Sequence, residues 1–210
     1  MLVKKGAEAS LFLEDWQERQ VIMKRRLPKK YRLLKVDERI RTYRTIHESQ
    51  LLHSAKEAGV PTPTIFLINL TDSNIIMEYV QGTEVKRVLH NLPTESRYAL
   101  NVHIGKLIGQ LHKNRIVHGD LTTSNMILTT SGEVVLIDFG LGEKTSQVEL
   151  RAVDLHLMKR AFQSTHFLYA KESFDAVMKG YFMVVGEETG KKVLDKVIEI
   201  EKRGRYISER

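Results

Sequence analysis

The chain has 210 residues, 33 of them Lys or Arg and 26 Asp or Glu, with no cysteine and 42% hydrophobic side chains. Without a thiol there is no disulfide framework, cysteine-based zinc site or thiol nucleophile. No stretch approaches the roughly 20 apolar residues of a membrane span, and Gly6, Glu8, Glu14 and Asp15 interrupt any signal-peptide core, so a cytoplasmic protein of one domain or two tightly joined lobes is expected.

Residues 1–35 read as strand-rich. The runs 9–13 (Ala-Ser-Leu-Phe-Leu) and 20–24 (Gln-Val-Ile-Met-Lys) are short, apolar or alternating, and separated by a polar stretch suited to a turn. A helix is expected over 37–58, with Ile40, Tyr43, Leu51, Leu52 and Ala55 as an irregular apolar stripe. Gly59 is its natural stop, and Pro61 and Pro63 forbid continuation. Glu48 lies three, four and seven positions before Leu51, Leu52 and Ala55, which sets a carboxylate on the inward face.

Two strands follow, at 64–69 and 74–80, joined by a turn at 70–73, and residues 81–83 break the pattern. From there to Asn114 the chain reads as helices. Pro93-Thr94 starts the second of them, and Leu100, Ile104, Leu107, Ile108 and Leu111 keep one face apolar. Residues 116–125 (Ile-Val-His-Gly-Asp-Leu-Thr-Thr-Ser-Asn) lead into a hairpin, 126–128 with 134–137, that ends in Asp138-Phe139-Gly140. Helical patterns return from Glu149. The segregation predicts an α+β chain with a β-rich N-lobe (1–80) carrying one main helix, a helical C-lobe (81–200) and a basic tail (201–210).

Charge is concentrated in two places. Residues 24–44 hold ten Lys or Arg against Asp37 and Glu38, and residues 191–210 hold seven basic against four acidic side chains. Either run suits an anionic partner, or is a solvated helix face.

The chemistry-bearing pattern brackets the hairpin. His118-x-Asp120, Asn125 and then Asp138-Phe139-Gly140 set two carboxylates and an amide at opposite ends of a rigid two-stranded unit, where they can converge. Phosphoryl transfer needs such a set: one Asp for the attacking hydroxyl, and hard oxygen ligands to hold Mg2+ on phosphates. The order and spacing match the protein-kinase catalytic loop followed by its Asp-Phe-Gly. Upstream, Val21-Ile22-Met23-Lys24 supplies the strand-borne Lys and Glu48 its helix-borne partner, which explains an inward carboxylate that would otherwise be costly unless it reached solvent. Arg25 competes for the role of Lys24, but strand alternation points it to the opposite face.

With these residues in place, the chain resembles the small atypical serine/threonine kinase subunit of the KEOPS (EKC) complex, a reduced protein kinase related to the RIO kinases. The resemblance covers nearly the whole chain. It rests on Lys5-Gly6-Ala7-Glu8-Ala9, Glu48 with Leu51-Leu52, Ala58-Gly59-Val60-Pro61-Thr62-Pro63, Met77-Glu78-Tyr79 with Gly82, His118-Gly119-Asp120-Leu121-Thr122-Thr123-Ser124-Asn125, Ile137-Asp138-Phe139-Gly140-Leu141, and Arg203-Gly204-Arg205. Relative to ordinary protein kinases, the Gly-rich loop is reduced to the single glycine of residues 5–9. Gly119 replaces the Arg before the catalytic Asp, and only residues 141–153 separate Asp-Phe-Gly from Asp154, with no Ala-Pro-Glu platform for a peptide.

The resemblance implies a reduced bilobal kinase-like fold using ATP and Mg2+. Asp120 would orient the attacking hydroxyl or water, Asn125 and Asp138 would bind metal, and Lys24, held by Glu48, would position phosphates. Lys5, Gly6, Ala7 and Glu8 would cover the nucleotide, and Glu78, Tyr79 and Val80 would form the hinge that meets adenine. Asp154 would be a buried anchor of the catalytic loop, and His118 a structural residue bonded to backbone near Asp138. The resemblance also implies work within a complex that installs threonylcarbamoyl on tRNA adenosine. There the chain would meet the transferase subunit through its C-lobe and tail and a small regulatory subunit through its N-lobe. Segment 24–44 and the tail suit tRNA phosphates or an acidic partner groove.

Two other readings stay open. A small-molecule phosphotransferase of the aminoglycoside or choline kinase type also uses His-Gly-Asp followed by Asn, but usually lacks the Phe and carries a large helical insertion, for which the 72 residues from 139 to 210 leave little room. A nucleotide-dependent scaffold, in which ATP turnover controls an assembly without protein phosphorylation, is favoured by the missing peptide platform.

Overall fold

The strand-forming runs of the first eighty residues close into one antiparallel sheet. The structure, a computed structural model, describes residues 1–6 and 8–208, with side chains through Arg203. Strands β1 (Leu2–Lys5), β2 (Ser10–Trp16), β3 (Arg19–Arg25), β4 (Ile65–Asn69) and β5 (Asn74–Glu78) lie in the order β1-β2-β3-β5-β4. Lys24 of β3 sits opposite Leu11 of β2 and Ile75 of β5, in the middle of the sheet. Strand alternation turns Lys24 and Arg26 to one side, where both are buried, and leaves Arg25 exposed.

Helix α1 (Leu34–Glu57) packs on that sheet. It starts a few residues earlier than the pattern suggests and ends where expected, because Gly59 takes φ +78°, a left-handed conformation that glycine adopts without a Cβ penalty. The predicted stripe needs correction in its first half. Tyr43 is 64% exposed and stacks on His47 at 5.4 Å, so the apolar face begins only at Leu51. Ahead of it the inward positions are polar: Asp37, Thr45, Glu48 and Ser49. That half of the helix is held by charge; buried Asp37, for instance, accepts from Arg41 Nε at 2.7 Å.

The break expected at 81–83 is corrected by the structure: its last two residues open strand β6 (Gly82–Glu84). Then come α2 (Val85–Val88), α3 (Thr94–Lys113), β7 (Ile116–Val117), a short 3-10 turn (Thr123–Asn125), β8 (Met126–Thr129), β9 (Val134–Leu136) and β10 (Glu143–Lys144). Strand β6 pairs with β8 and β8 with β9, while β7 pairs with β10. Local alternation could not show β6, because three residues become a strand only when a distant edge supplies the hydrogen bonds.

Helices α4 (Val148–Thr165), α5 (Ala170–Val185) and α6 (Glu187–Ser208) complete the C-lobe, with α3 lying along α5 and α4 along α6. Residues 201–208, expected as a tail, continue α6. Arg203 is tied there to Glu149 of α4 at 2.9 Å. The side chains of residues 204–208, and residues 209–210 altogether, lie outside the described residues, as does Ala7.

One continuous core joins the lobes. Leu51, Leu52 and Ala55 of α1 and Ile75 and Met77 of β5 belong to the same buried cluster as Ile104, Leu111, Phe139, Leu155 and Tyr181. Each large aliphatic or aromatic group buried there contributes about 1.5–3 kcal/mol. Among the described residues, no helix is long and apolar enough to cross a membrane.

Candidate active site

Between the sheet and the C-lobe runs a cleft whose inner part is apolar and whose outer part is charged. Leu11 and Ile22 line the inner part from above, Met77 and Val80 from the back, and Ile127 and Ile137 from below; Lys24, Glu78, Glu84, Asn125 and Asp138 supply its polar groups. The adjoining charged cavity is lined by Lys4, Gly6, Glu8, Lys24, Arg26, Arg44, Asp120, Asp138 and Gly140.

Lys24 joins the lobes electrostatically. Its Nζ donates to Glu48 Oε1 at 2.6 Å and to Asp138 Oδ1 at 2.7 Å. Burial alone would push the ammonium pKa down, but the two carboxylates outweigh it and hold the group above its ordinary value. Asp138 mirrors this: burial pushes its carboxyl up, yet Lys24 brings it below the usual carboxylate range. Asp138 has φ +66°, a left-handed conformation tolerated by Asp, and stands half exposed at the mouth of the cleft. Glu48 is 1% exposed and also binds Arg26, which donates from Nη2 to Oε2 and from Nη1 to Thr45 Oγ1 at 3.4 Å.

Below, Asn125 Nδ2 donates to the carbonyl oxygen of Asp120 at 2.9 Å and to its Oδ2 at 2.8 Å. These bonds fix the amide orientation, because both Asp120 atoms that face it are acceptors, so Asn125 turns its nitrogen to them and presents its oxygen elsewhere. The loop bearing Asp120 is anchored from beneath. Asp154, 1% exposed, accepts from the backbone N–H of His118 at 2.6 Å and of Gly119 at 2.8 Å, and from His112 Nε2 at 3.2 Å. His118 Nε2 donates to the Ile137 carbonyl at 3.0 Å, and its ring packs 4.5 Å from that of Phe139. His166 reaches Thr123 Oγ1 at 3.1 Å, and burial with nearby His90 and Lys86 pushes its pKa down to about 4.

Burial raises the Asp154 carboxyl pKa, but His112, His118 and the loop N–H groups outweigh it and hold the net value low. A depressed carboxylate stabilises the fold above its unfolded pKa of about 3.9, and that contribution is lost as pH falls through the folded value. The difference in urea midpoint between the parent and Asp154→Asn is therefore expected to be largest near neutrality and to shrink below about pH 4. A difference that stays constant down to pH 2 would mean that the charge is not what anchors the loop.

The structure brings Lys24, Glu48, Asp120, Asn125 and Asp138 to one cleft, with Glu78, Tyr79 and Val80 along its back. The segment expected over the site divides. Gly6 and Glu8 line the charged cavity, but Lys4 lines it in place of Lys5, since alternation along β1 sends neighbours to opposite faces. Glu8 pairs with Arg44 and with Arg32 at 3.9 Å, so an ion pair to α1 holds this short loop where a glycine-rich one would fold down. Arg26 and Glu84 were missed. The signal for Arg26 was present, two residues beyond Lys24 on the same strand face; nothing local marks Glu84.

Five of the ten cations in 24–44, namely Lys24, Arg26, Arg32, Arg41 and Arg44, are engaged by Glu8, Asp37, Glu48 or Asp138. Arg25, Lys30, Lys35 and Arg39 remain on the exposed surface. In α6, Lys191, Lys192, Lys196 and Arg203 all have carboxylate partners on α6 or α4.

Comparison with known proteins places the chain in a family. The RIO domain family model matches residues 15–168. The chain is 44% identical to the KEOPS complex subunit Bud32 of Pyrococcus abyssi, over 98% of this chain and 96% of that protein. It is 39% identical to a probable bifunctional tRNA threonylcarbamoyladenosine biosynthesis protein of Methanothermobacter thermautotrophicus and 38% identical to one of the same name from Methanobrevibacter smithii, over 98% of this chain in each case. It spans 36% of the length of each of those two proteins.

Proposed function

The chain belongs to the RIO-domain family, and from that membership and the cleft we propose that it is a Mg2+- and ATP-dependent phosphotransferase, a serine/threonine kinase or ATPase, acting as a subunit of a KEOPS complex in threonylcarbamoyladenosine modification of tRNA. The observation that carries the proposal is Lys24 bridging Glu48 and Asp138 across the cleft, with Asp120 and Asn125 joined on its floor.

The residues present fit the ligands. Adenine suits the apolar slot between Leu11 and Ile22 above and Ile127 and Ile137 below, with Met77 at its back and backbone groups of 78–80 at its edge. Glu84 is at hand for ribose hydroxyls. The free Asn125 oxygen and the Asp138 carboxylate are hard donors suited to Mg2+, and among the described residues no three His, Cys, Asp or Glu side chains gather to hold a metal unaided. Two protein oxygens plus phosphate oxygens are the usual arrangement for Mg2+ at such sites. When bound, the metal neutralises charge on the transferring phosphoryl group.

Lys24, already fixed by Glu48, would exchange its contact with Asp138 for phosphate oxygens. Asp120 would accept the proton of the hydroxyl or water that attacks the γ-phosphorus as the bond to the bridging oxygen breaks. Helix α4 begins at Val148, soon after Gly140, leaving little chain for a peptide platform, and this favours water or a partner-presented group as acceptor.

The proposed partners keep their lobes: the transferase subunit on the C-lobe and the region around 201–210, the small regulatory subunit on the N-lobe. Exposed Phe167 and Leu168 on the former, and Tyr31, Leu33 and Leu34 on the latter, are apolar surface of the kind that marks interaction sites. tRNA phosphates would meet the exposed cations Lys30, Lys35 and Arg39 of segment 24–44.

The test is incubation with γ-labelled Mg-ATP, alone and with the transferase subunit, following phosphate release against label kept on protein. Lys24→Ala is expected to lower kcat/KM at least tenfold, and Arg25→Ala to leave it within twofold. The reverse pattern would mean that the wrong cation has been assigned.

A further inference from the structure

A carboxylate 1% exposed in the middle of a lobe is tolerated only when both of its oxygens are satisfied by charge or strong donors. Glu48 meets that condition through two cations from a single strand: Lys24 on Oε1 and Arg26 on Oε2. The two are not equivalent. Lys24 is divided between Glu48 and Asp138, and it lines both the apolar and the charged cavities. Arg26 is 3% exposed, lines only the charged cavity, and its remaining side-chain bond goes to Thr45, one turn before Glu48 on the same helix.

If Lys24 were the only partner of Glu48, each contact it made with a phosphate would be made at the expense of a buried, half-unpaired carboxylate. The second cation removes that conflict. Arg26 holds Oε2 and Thr45 whether or not Lys24 turns toward a ligand, and a guanidinium suits the task because its donors are set in a rigid planar fork. The side chain also lies beneath the Asp-Phe-Gly turn: a methyl group placed on Gly140 would sit 3.8 Å from Arg26 Nη2 and 3.7 Å from Glu48 Oε2. Helix α1, strand β3 and the metal-side turn therefore meet at this one pair.

We propose that Arg26 is a positioning residue of the nucleotide site, a second cation that fixes Glu48 and α1 in the working position before nucleotide arrives and so leaves Lys24 free to serve the phosphates. On this basis α1 is not a swinging switch. Its inward position is set within the chain, by β3, and does not wait on ligand. The proposal rests on the phosphotransfer reading above, and the experiment separates the two.

The experiment measures kcat and KM for Mg-ATP, the thermal midpoint, and hydrogen exchange of the α1 amides without nucleotide. The proteins are the parent chain, Arg26→Met, Arg26→Lys, Arg25→Met, Asp138→Asn, Glu48→Gln and the Glu48→Gln/Arg26→Met double variant. Arg26→Met is expected to lower kcat at least tenfold with KM changed less than threefold, and to speed exchange around residues 45–52. Arg26→Lys should recover kcat to within about threefold of the parent, since the charge on Oε2 returns without the bond to Thr45. Arg25→Met should match the parent.

In the Glu48→Gln background, adding Arg26→Met should cost less than twofold, because Arg26 acts through Glu48. Should Arg26→Met alone fail to fold, the lysine variant and the double variant carry the same comparison. Unchanged kcat and exchange in folded Arg26→Met, equal loss in the Met and Lys variants, or a full tenfold cost in the Glu48→Gln background would each overturn the proposal. Turnover that survives in Asp138→Asn would instead overturn the phosphotransfer reading, while the exchange data would still report whether Arg26 fixes α1.

Discussion

Asp138→Asn is expected to lose nucleotide turnover by a factor on the order of 10³ or more, and Asp120→Asn by on the order of 10²–10⁴, with both proteins remaining folded. The two losses have different causes. At position 138 the change removes the charged oxygen that would hold the metal on the phosphates and also the carboxylate that now engages Lys24. At position 120 it removes a proton acceptor while keeping an atom able to receive the bond from Asn125 Nδ2.

Asn is the better replacement at 138 than Ala, because φ there is +66° and Asn tolerates the left-handed region. Ala would add backbone strain of about 1–2 kcal/mol and mix a stability effect into the result. Phosphate release from γ-labelled Mg-ATP, with a thermal midpoint recorded on each protein, makes the check. Two folded variants that turn over nucleotide like the parent would remove the site assignment altogether.

The largest stability effect is expected far from the charges. Gly105→Ala or Gly180→Ala should destabilise by about 3 kcal/mol or more, and for a chain of this size that lowers the thermal midpoint by roughly 6–12 °C. Helices α3 and α5 cross so closely that a Cβ on Gly105 would lie 1.9 Å from the Val177 carbonyl oxygen, and one on Gly180 would lie 1.9 Å from that of Val102. Backbone cannot move aside as a flexible side chain can, so the helices must separate. Separation would reach the catalytic loop, because α3 carries His112, which contacts Asp154 at 3.2 Å and the Tyr181 hydroxyl of α5 at 3.0 Å.

The contrasting change is Gly132→Ala in the β8–β9 turn, where φ is +86° but nothing lies within 4 Å. It should cost only about 1 kcal/mol of conformational strain. Urea midpoints of the three variants test the account, and equal midpoints would mean that the helices are not in backbone contact.

How much of this was legible depends on the range over which each feature acts. The α+β class, the bilobal kinase-like fold and the family were readable, because short motifs encode them. Asp138 lies thirteen positions after Asn125, and a single hairpin bridges that distance. Period and punctuation sufficed for the second half of α1 as well: Gly59 stops it, and the offset from Glu48 to Leu51, Leu52 and Ala55 turns the carboxylate inward. Such signals are local, and the hydrophobic effect and backbone sterics act on them before any distant partner arrives.

By itself, then, the amino-acid sequence determined the fold class, the family and the inward face of the second half of α1. Only the tertiary structure decided who partners whom. The run at 24–44 reads as a surface for an anion or a solvated helix face, yet at least half of its cations are bound by carboxylates of this same chain, one of them 114 positions away. Residues 82–84 became a strand because β8 offered an edge, residues 201–208 continue a helix along α4 where a tail was expected, and Arg26, beside the more obvious candidates Lys24 and Arg25, closes on Glu48. The physical reason is common to all of them. Periodicity fixes the side of an element on which a group lies, but an ion pair or a ladder bond is made only with what the fold brings to within about 3 Å.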